Sequence, residues 1–312
     1  MMLEPRTVHS VNLPHNCDSV EINTARDRVF VGMYEYEESS FSRGGGFAML
    51  DREGRVRHTH VNKDWGALDA CWNANNDTIV MASSDGIVRV YDCTDMDNPT
   101  CVRETRAVET PGSDKTENIL MAIDVKGDMW CTITAKGELA FFRTGNLISR
   151  IDAHSNVIES WACALSHDTT MAASGSDDCA LKIWDTRTNE LAMQNTKSHM
   201  MGTTCLEFIS DTEILTGSYD DRIRRFDLRN IKEPVTERKS IGGIWRLKPL
   251  EDRLFVAACY GGCSVVDIGD FRPIVSEYTK HESMAYGIGA LDHNYAVSCS
   301  FYDKLVSYWD FS

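Results

Sequence analysis

The sequence predicts an all-β fold, a closed β-propeller of seven blades, and three observations predict it. First, short runs rich in Val, Ile, Phe and Trp recur along the 312 residues. Second, each ends in a hydrophobic residue followed, in all but one case, by aspartate: Leu50-Asp51, Tyr91-Asp92, Phe142-Arg143, Trp184-Asp185, Phe226-Asp227, Val266-Asp267 and Trp309-Asp310. The second member recurs after 41, 51, 42, 42, 40 and 43 residues. Third, a further aspartate precedes four of these steps by seven residues, at Asp85, Asp178, Asp220 and Asp303. Each sits in a tight turn, where a carboxylate can accept backbone N–H bonds. A period near 40 with a Trp-Asp dipeptide is the signature of WD-repeat propellers.

The elements follow in order. The run from Arg6 to Leu13 alternates polar and apolar residues, and the last repeat supplies only three strands before Ser312. Pairing the two ends gives the last blade its fourth strand and leaves no bare edge. Residues 1–312 are therefore read as one domain, with the strand at 6–13 completing the ring. In the middle of the chain, His154, His199 and His281 stand 21 to 24 residues before turn aspartates, and Ser174 and Thr216 stand four before theirs. This spacing predicts a buried His–Asp–Ser/Thr–Trp network, complete in blade four (His154, Ser174, Asp178, Trp184). Blade five has Phe226 for Trp, and blade seven has Cys299 for the hydroxyl. Blades one, three and six lack the network and depend on apolar packing. Two polar, glycine- or proline-containing stretches, 35–46 and 105–118, read as exposed loops.

Composition narrows the function. The net charge of −15 opposes nucleic-acid binding, which needs clustered Lys and Arg. No run of 18 apolar residues exists and no basic region precedes an apolar core at the start, so neither a membrane span nor a secretory signal is expected. The eleven cysteines include no Cys-x-x-Cys pair and mostly lie in apolar runs, as reduced core residues of a cytoplasmic protein do. Gly-x-Ser-x-Gly, His-Glu-x-x-His and phosphate-binding glycine loops are absent. No metal or cofactor is expected.

A propeller gathers function at one face. The residues before the turn aspartates (Asp177, Tyr219, Tyr302) and the starts of the inner strands (Glu159, Trp161, Trp245, Arg246, Tyr286) should converge on one opening of the channel. Rings and carboxylates together suit an organic cation.

Specific stretches then carry a resemblance. They are Glu159-Ser160-Trp161, Trp184-Asp185-Thr186-Arg187, His199-Met200-Met201-Gly202, Ser218-Tyr219-Asp220-Asp221, Gly242-Gly243-Ile244-Trp245-Arg246-Leu247-Lys248, Tyr286-Gly287 and Ser300-Phe301-Tyr302-Asp303. Together they resemble the diphthine methylesterase family, WD-repeat proteins of diphthamide biosynthesis, over residues 150–312; the first half matches only by repeat pattern. The resemblance implies hydrolysis of the methyl ester of the over-methylated diphthine intermediate on elongation factor 2, before the final amidation. The trimethylammonium group of that substrate agrees with the mouth described above, and an acidic chain would attract a basic factor. A monomer is expected, with no membrane or nucleic-acid partner. Ester hydrolysis needs an activated nucleophile and oxyanion donors. His199 and His281 are the candidate bases, with Tyr302 or Arg246 as donor and Asp177 or Glu159 as the alternative. Trp161, Tyr219, Trp245, Tyr286 and Tyr302 are the candidate cation pocket.

A scaffold is the competing class. Trp184-Asp185-Thr186-Arg187 and Phe226-Asp227-Leu228-Arg229 resemble the boxes by which WD proteins dock on a cullin-RING ubiquitin ligase adaptor, with Arg187 and Arg229 as partner-binding residues on the opposite face.

Overall fold

The computed structural model describes residues 2–108 and 119–311. Seven antiparallel sheets succeed one another, each built outward from an inner strand. The inner strands are Cys17–Ile22, Ala67–Trp72, Leu120–Lys126, Ser160–Leu165, Thr203–Ser210, Arg246–Leu250 and Ala285–Asp292, from blades one to seven in that order. Burial follows radius. The second strand of blade three, Met129–Thr134, is wholly buried because a neighbouring blade covers each of its faces. The outer strand Thr100–Arg106 of blade two is almost wholly exposed.

The core consists of apolar clusters lying between successive blades. Phe30 and Phe47 of blade one meet Trp72 and Ile79 of blade two, and Leu165 and Trp184 of blade four meet Phe141 of blade three. One cluster joins Val29 and Leu50 of blade one to Val297 and Tyr308 of blade seven, so the series closes on itself. Burying each such ring stabilises by about 1.5–3 kcal/mol. The closing strand is Pro5–Asn12, paired antiparallel with Leu305–Phe311 from Pro5↔Phe311 to Asn12↔Leu305, as the alternation predicted.

Four details differ from the sequence reading. Blade six has three strands. Its fourth position is held by bridges from Pro273 and Tyr278 to Val266 and Cys263, and Leu3 bridges Val275; Pro273 has no N–H to give a ladder. The stretch 35–46, read as an exposed hairpin loop between two strands of blade one, is paired as far as Glu37↔Ser42, so the strands run through most of it. Gly45 (φ +142°) and Gly46 (φ +123°) make this possible, because a Cβ there would lie 2.1 Å from the Met33 carbonyl oxygen and 1.9 Å from that of His60. Of the stretch 105–118, residues 105 and 106 end an outer strand, and 109–118 lie outside the described residues. In blade seven the hydroxyl is Ser298, not Cys299: it bonds His281 Nε2 at 2.7 Å and accepts from Trp309 Nε1 at 3.0 Å. One extra residue in the turn before Asp303 moves the hydroxyl from four residues upstream to five.

Blade four is wired as predicted. His154 bonds Asp178 at 2.7 Å and Ser174 at 2.8 Å, and Trp184 donates to Ser174 at 2.9 Å. Blade two substitutes an ion pair. Arg89, almost wholly buried, grips Asp85 through two bonds of 2.8 and 2.7 Å and lies 4.3 Å over the Trp65 ring. Among the described residues, no helix is long and apolar enough to cross a membrane.

Candidate functional site

Six inner strands begin with the same irregularity. The ladder skips one residue between Cys17 and Ser19, Ala67 and Asp69, Leu120 and Ala122, Ser160 and Ala162, Thr203 and Cys205, and Ala285 and Gly287. A bulge frees the skipped residue from the pleat and re-aims its side chain. In blade six Trp245 stands at the same place, just before Arg246–Leu250, its N–H bonded to the Ala257 carbonyl at 2.9 Å. Each blade thus sends one side chain to the channel mouth: Asp18, Leu68, Met121, Trp161, Thr204, Trp245 and Tyr286.

Three of these are aromatic and touch. Trp161 meets Trp245 edge-on at 5.4 Å, and Trp245 stacks on Tyr286 at 4.3 Å. Blade five lies between the first pair and contributes only Thr204, whose small side chain lets rings from blades four and six meet. Phe301 extends the arc at 5.1 Å from Tyr286, with Tyr302 edge-on to it at 4.9 Å and largely exposed at the rim. Tyr219 is exposed beside them, against the backbone of Gly243. Asp177 accepts from Trp161 Nε1 at 2.7 Å, and Gly202 leaves the room: a Cβ there would come within 2.2 Å of that carboxylate. The predicted rings therefore converge on one opening.

A cavity of about 400 Å³ adjoins this arc, walled by Trp161 and Glu159 on one side and by Tyr34, Arg43, Leu68, Ile119, Met121 and Lys136 on the others. Arg43 donates to Tyr34 Oη at 2.5 Å and lies 4.6 Å over the Tyr36 ring. These residues come from the blade-one hairpin, which Glu35 anchors to His15, just ahead of the inner strand of its own blade (2.5 Å), and to Lys304 of blade seven (3.5 Å). Sequence reading missed Arg43 because it fell in the stretch 35–46 taken for a loop, and Tyr34 because it stands just before that stretch.

Below the rim the channel is charged. Arg246, expected at the mouth, is drawn down to Asp69 of blade two at 3.3 Å. Blades six and two lie on opposite sides of the ring, so this pair spans the channel and floors the cup. Asp69 also accepts from the Ile123 N–H at 3.0 Å. Lys248, two residues further down, binds Glu21 of blade one at 2.7 Å. Above the floor stands Asp18, 8% exposed. Burial raises its pKa to about 7, against the lowering effect of Arg246, while Asp69 raises it further. Blade one lies between blade seven, which carries Tyr286, and blade two, which carries Leu68 of the cavity wall, so the bulge position of Asp18 falls between the aromatic arc and the cavity. Its signal in the sequence is register: Asp18 occupies in blade one the position of Trp161 in blade four.

The two candidate bases lie elsewhere. His199 is buried inside blade five, bonded through Nε2 to Thr216 at 2.8 Å and packed on Phe226. His281 is held by Ser298 within blade seven, beside the Tyr278 ring. Burial pushes each down to about 4. Neither ring reaches the cup, so the expectation that they act on substrate gives way to a structural role. Arg187 and Arg229 are exposed at the far ends of their blades, each clamped by the aspartate of its own Trp/Phe-Asp step, at 2.5 Å to Asp185 and 2.6 Å to Asp227.

The pattern of the "WD domain, G-beta repeat" matches residues 55–92 and 145–185. A chain of the "Crystal Structure of Mitotic Checkpoint Complex" superposes with a TM-score of 0.79 at 13% identity, covering 97% of this chain and 91% of that one; the likeness is one of fold. Among curated relatives, the "Diphthine methyltransferase homolog" of Dictyostelium discoideum is 29% identical, over 80% of this chain and 77% of its own length. The "Diphthine methyltransferase" of Schizosaccharomyces pombe is 27% identical over 91% of each chain. The mouse protein of that name is 30% identical over 54% of this chain and 36% of its own. The similarity thus reaches well into the first half, where the sequence showed only the repeat. The chain is a WD-repeat β-propeller similar, along most of its length, to the proteins named diphthine methyltransferase.

Proposed function

We propose that this chain acts in diphthamide biosynthesis as a carboxylic ester hydrolase, removing the methyl ester from methylated diphthine on elongation factor 2 in the cytoplasm. The relatives support the substrate class. One observation supports the chemistry: Trp161 stands where the aromatic arc and the cavity meet, with Glu159 beside it and Asp177 on its indole N–H.

A quaternary ammonium has no N–H to donate, so it is recognised by ring faces and diffuse negative charge. Trp161, with Trp245 and Tyr286 behind it and Tyr219 and Tyr302 at the rim, offers the faces; Glu159 and Asp177 offer the charge. Arg43 and Lys136, across the cavity, suit the carboxylate that hydrolysis leaves. The floor of Arg246 and Asp69 stops the substrate at the mouth. The net charge of −15 favours encounter with a basic surface on the factor.

The test is incubation of the purified chain with methyl-esterified diphthine on the elongation factor, read by mass and by released methanol. Loss of one methylene with methanol supports hydrolysis. Gain of a methylene in the presence of a methyl donor makes the chain a transferase, the activity its relatives' names print. No change, with tight binding to the cullin-RING adaptor abolished by Arg187→Ala and Arg229→Ala, favours the scaffold.

A further inference from the structure

With His199 and His281 enclosed in their blades, the hydrolytic reading needs a proton acceptor other than a histidine. We infer that the carboxylate of Asp18 is the catalytic base that takes a proton from the attacking water at the channel mouth, an assignment that rests on that reading.

The geometry carries it. Asp18 occupies the blade-one bulge position on the ring that also carries Trp161, Trp245 and Tyr286. It is 8% exposed, and among the described residues its carboxylate makes no side-chain hydrogen bond or ion pair. A carboxylate this little exposed is costly to ionise without a bonded partner, and by blade order it falls between the aromatic arc and the cavity where an ester would lie. Charged and titratable groups face it from each neighbouring element: Arg246 of blade six, Asp69 of blade two, Tyr286 and Cys299 of blade seven, and Cys17 and Tyr34 of blade one. Arg246 keeps it from being neutral at all working pH, and burial keeps it from being too weak a base; a value of about 7 is near the optimum for general base catalysis.

The step balances without a co-reactant. Asp18 takes a proton from water as the oxygen bonds to the ester carbon and the carbonyl pair moves to oxygen. Collapse of the tetrahedral intermediate breaks the bond to methoxide, which takes the proton from Asp18 and leaves as methanol. The product acid ionises into solvent.

The test compares kcat and KM of the full chain with those of Asp18→Asn and Asp18→Glu on the methyl-esterified factor, from about pH 5.5 to about pH 9. The expected result is a wild-type kcat/KM rising through a midpoint near 7, a loss of kcat of about 10²–10⁴-fold in Asp18→Asn with little change in KM, and a displaced midpoint in Asp18→Glu. Quenching of indole fluorescence by tetramethylammonium, unchanged in Asp18→Asn, reports that the cup is intact. A wild-type chain that releases methanol while Asp18→Asn keeps its kcat overturns the base and leaves the hydrolytic reading standing. A wild-type chain that releases no methanol overturns both.

Discussion

The channel mouth and the blade interiors both join aromatic rings to polar groups, but they join them differently. In blade four, His154, Asp178, Ser174 and Trp184 satisfy one another inside a closed sheet. At the mouth, Trp161, Trp245 and Tyr286 touch in series, and among the described residues the Asp18 carboxylate makes no hydrogen bond or ion pair of its own. Groups already satisfied contribute stability, and groups held in place but left open are free to bind. The difference separates histidines that a motif search would select from the residues positioned to meet a ligand.

Four variants test that division, in order of expected effect. His154→Ala leaves Asp178 and Ser174 without their shared partner, and should cost about 2–4 kcal/mol in a urea melt, with activity at permissive temperature unchanged. His199→Ala should cost less, about 1–2 kcal/mol, because Asp220 keeps Arg224 at 2.8 Å and the Met200 N–H at 2.9 Å. Trp245→Ala should do the reverse: removing a cation–π face worth about 2 kcal/mol lowers kcat/KM by about 30-fold and raises KM, with the melting midpoint nearly unmoved. A normal KM would take Trp245 out of the pocket. Tyr302→Ala, at an exposed rim, should lower kcat/KM only about 3-fold.

Acid sharpens the same contrast. His199 and His281 are pushed from 6.5 down to about 4 in the fold, so between these values the unfolded chain binds more protons. Their contribution is complete above about pH 6.5 and drains away as pH falls to 4. Asp18 and Glu21 run the other way. Burial raises both to about 7, so the folded chain holds their protons more tightly, and stability falls as pH rises from about 4 to 7. The two effects overlap in wild type. Urea midpoints of His199→Asn across that range should therefore lose the acid-side decline by up to about 1.4 kcal/mol per pH unit. Asp18→Asn should gain stability over wild type at pH 8 and lose the advantage near pH 4.

The seven blades, the closing strand and the network of blade four were legible because each rests on local spacing: a 40-residue period, an alternation, a fixed interval from histidine to aspartate. The rings were legible too, since inner-strand starts are identifiable from the repeat. Asp18 was not, because its membership of the rim depends on a bulge shared by six blades, and blade one lacks the network that marks the register. Arg246 misled for a related reason. Its position at a strand start was right, but its partner, Asp69, comes from the opposite side of the ring, and no local pattern records a contact across an axis. Ser298 was missed through a single added turn residue, and the hairpin at 35–46 because glycine reads as loop wherever its conformational freedom is used to bring strands together.

The strand Pro5–Asn12 has a consequence for how the molecule is made. Its partner Leu305–Phe311 lies some 300 residues downstream, so a chain leaving the ribosome must carry those first residues unpaired until nearly everything after them has emerged. Six sheets can assemble in order from local hairpins, whereas the seventh waits for a long-range encounter with a large loop-closure entropy. Ring completion is thus the slow and vulnerable stage of biogenesis, and an unsealed last sheet is where a chaperone would find work.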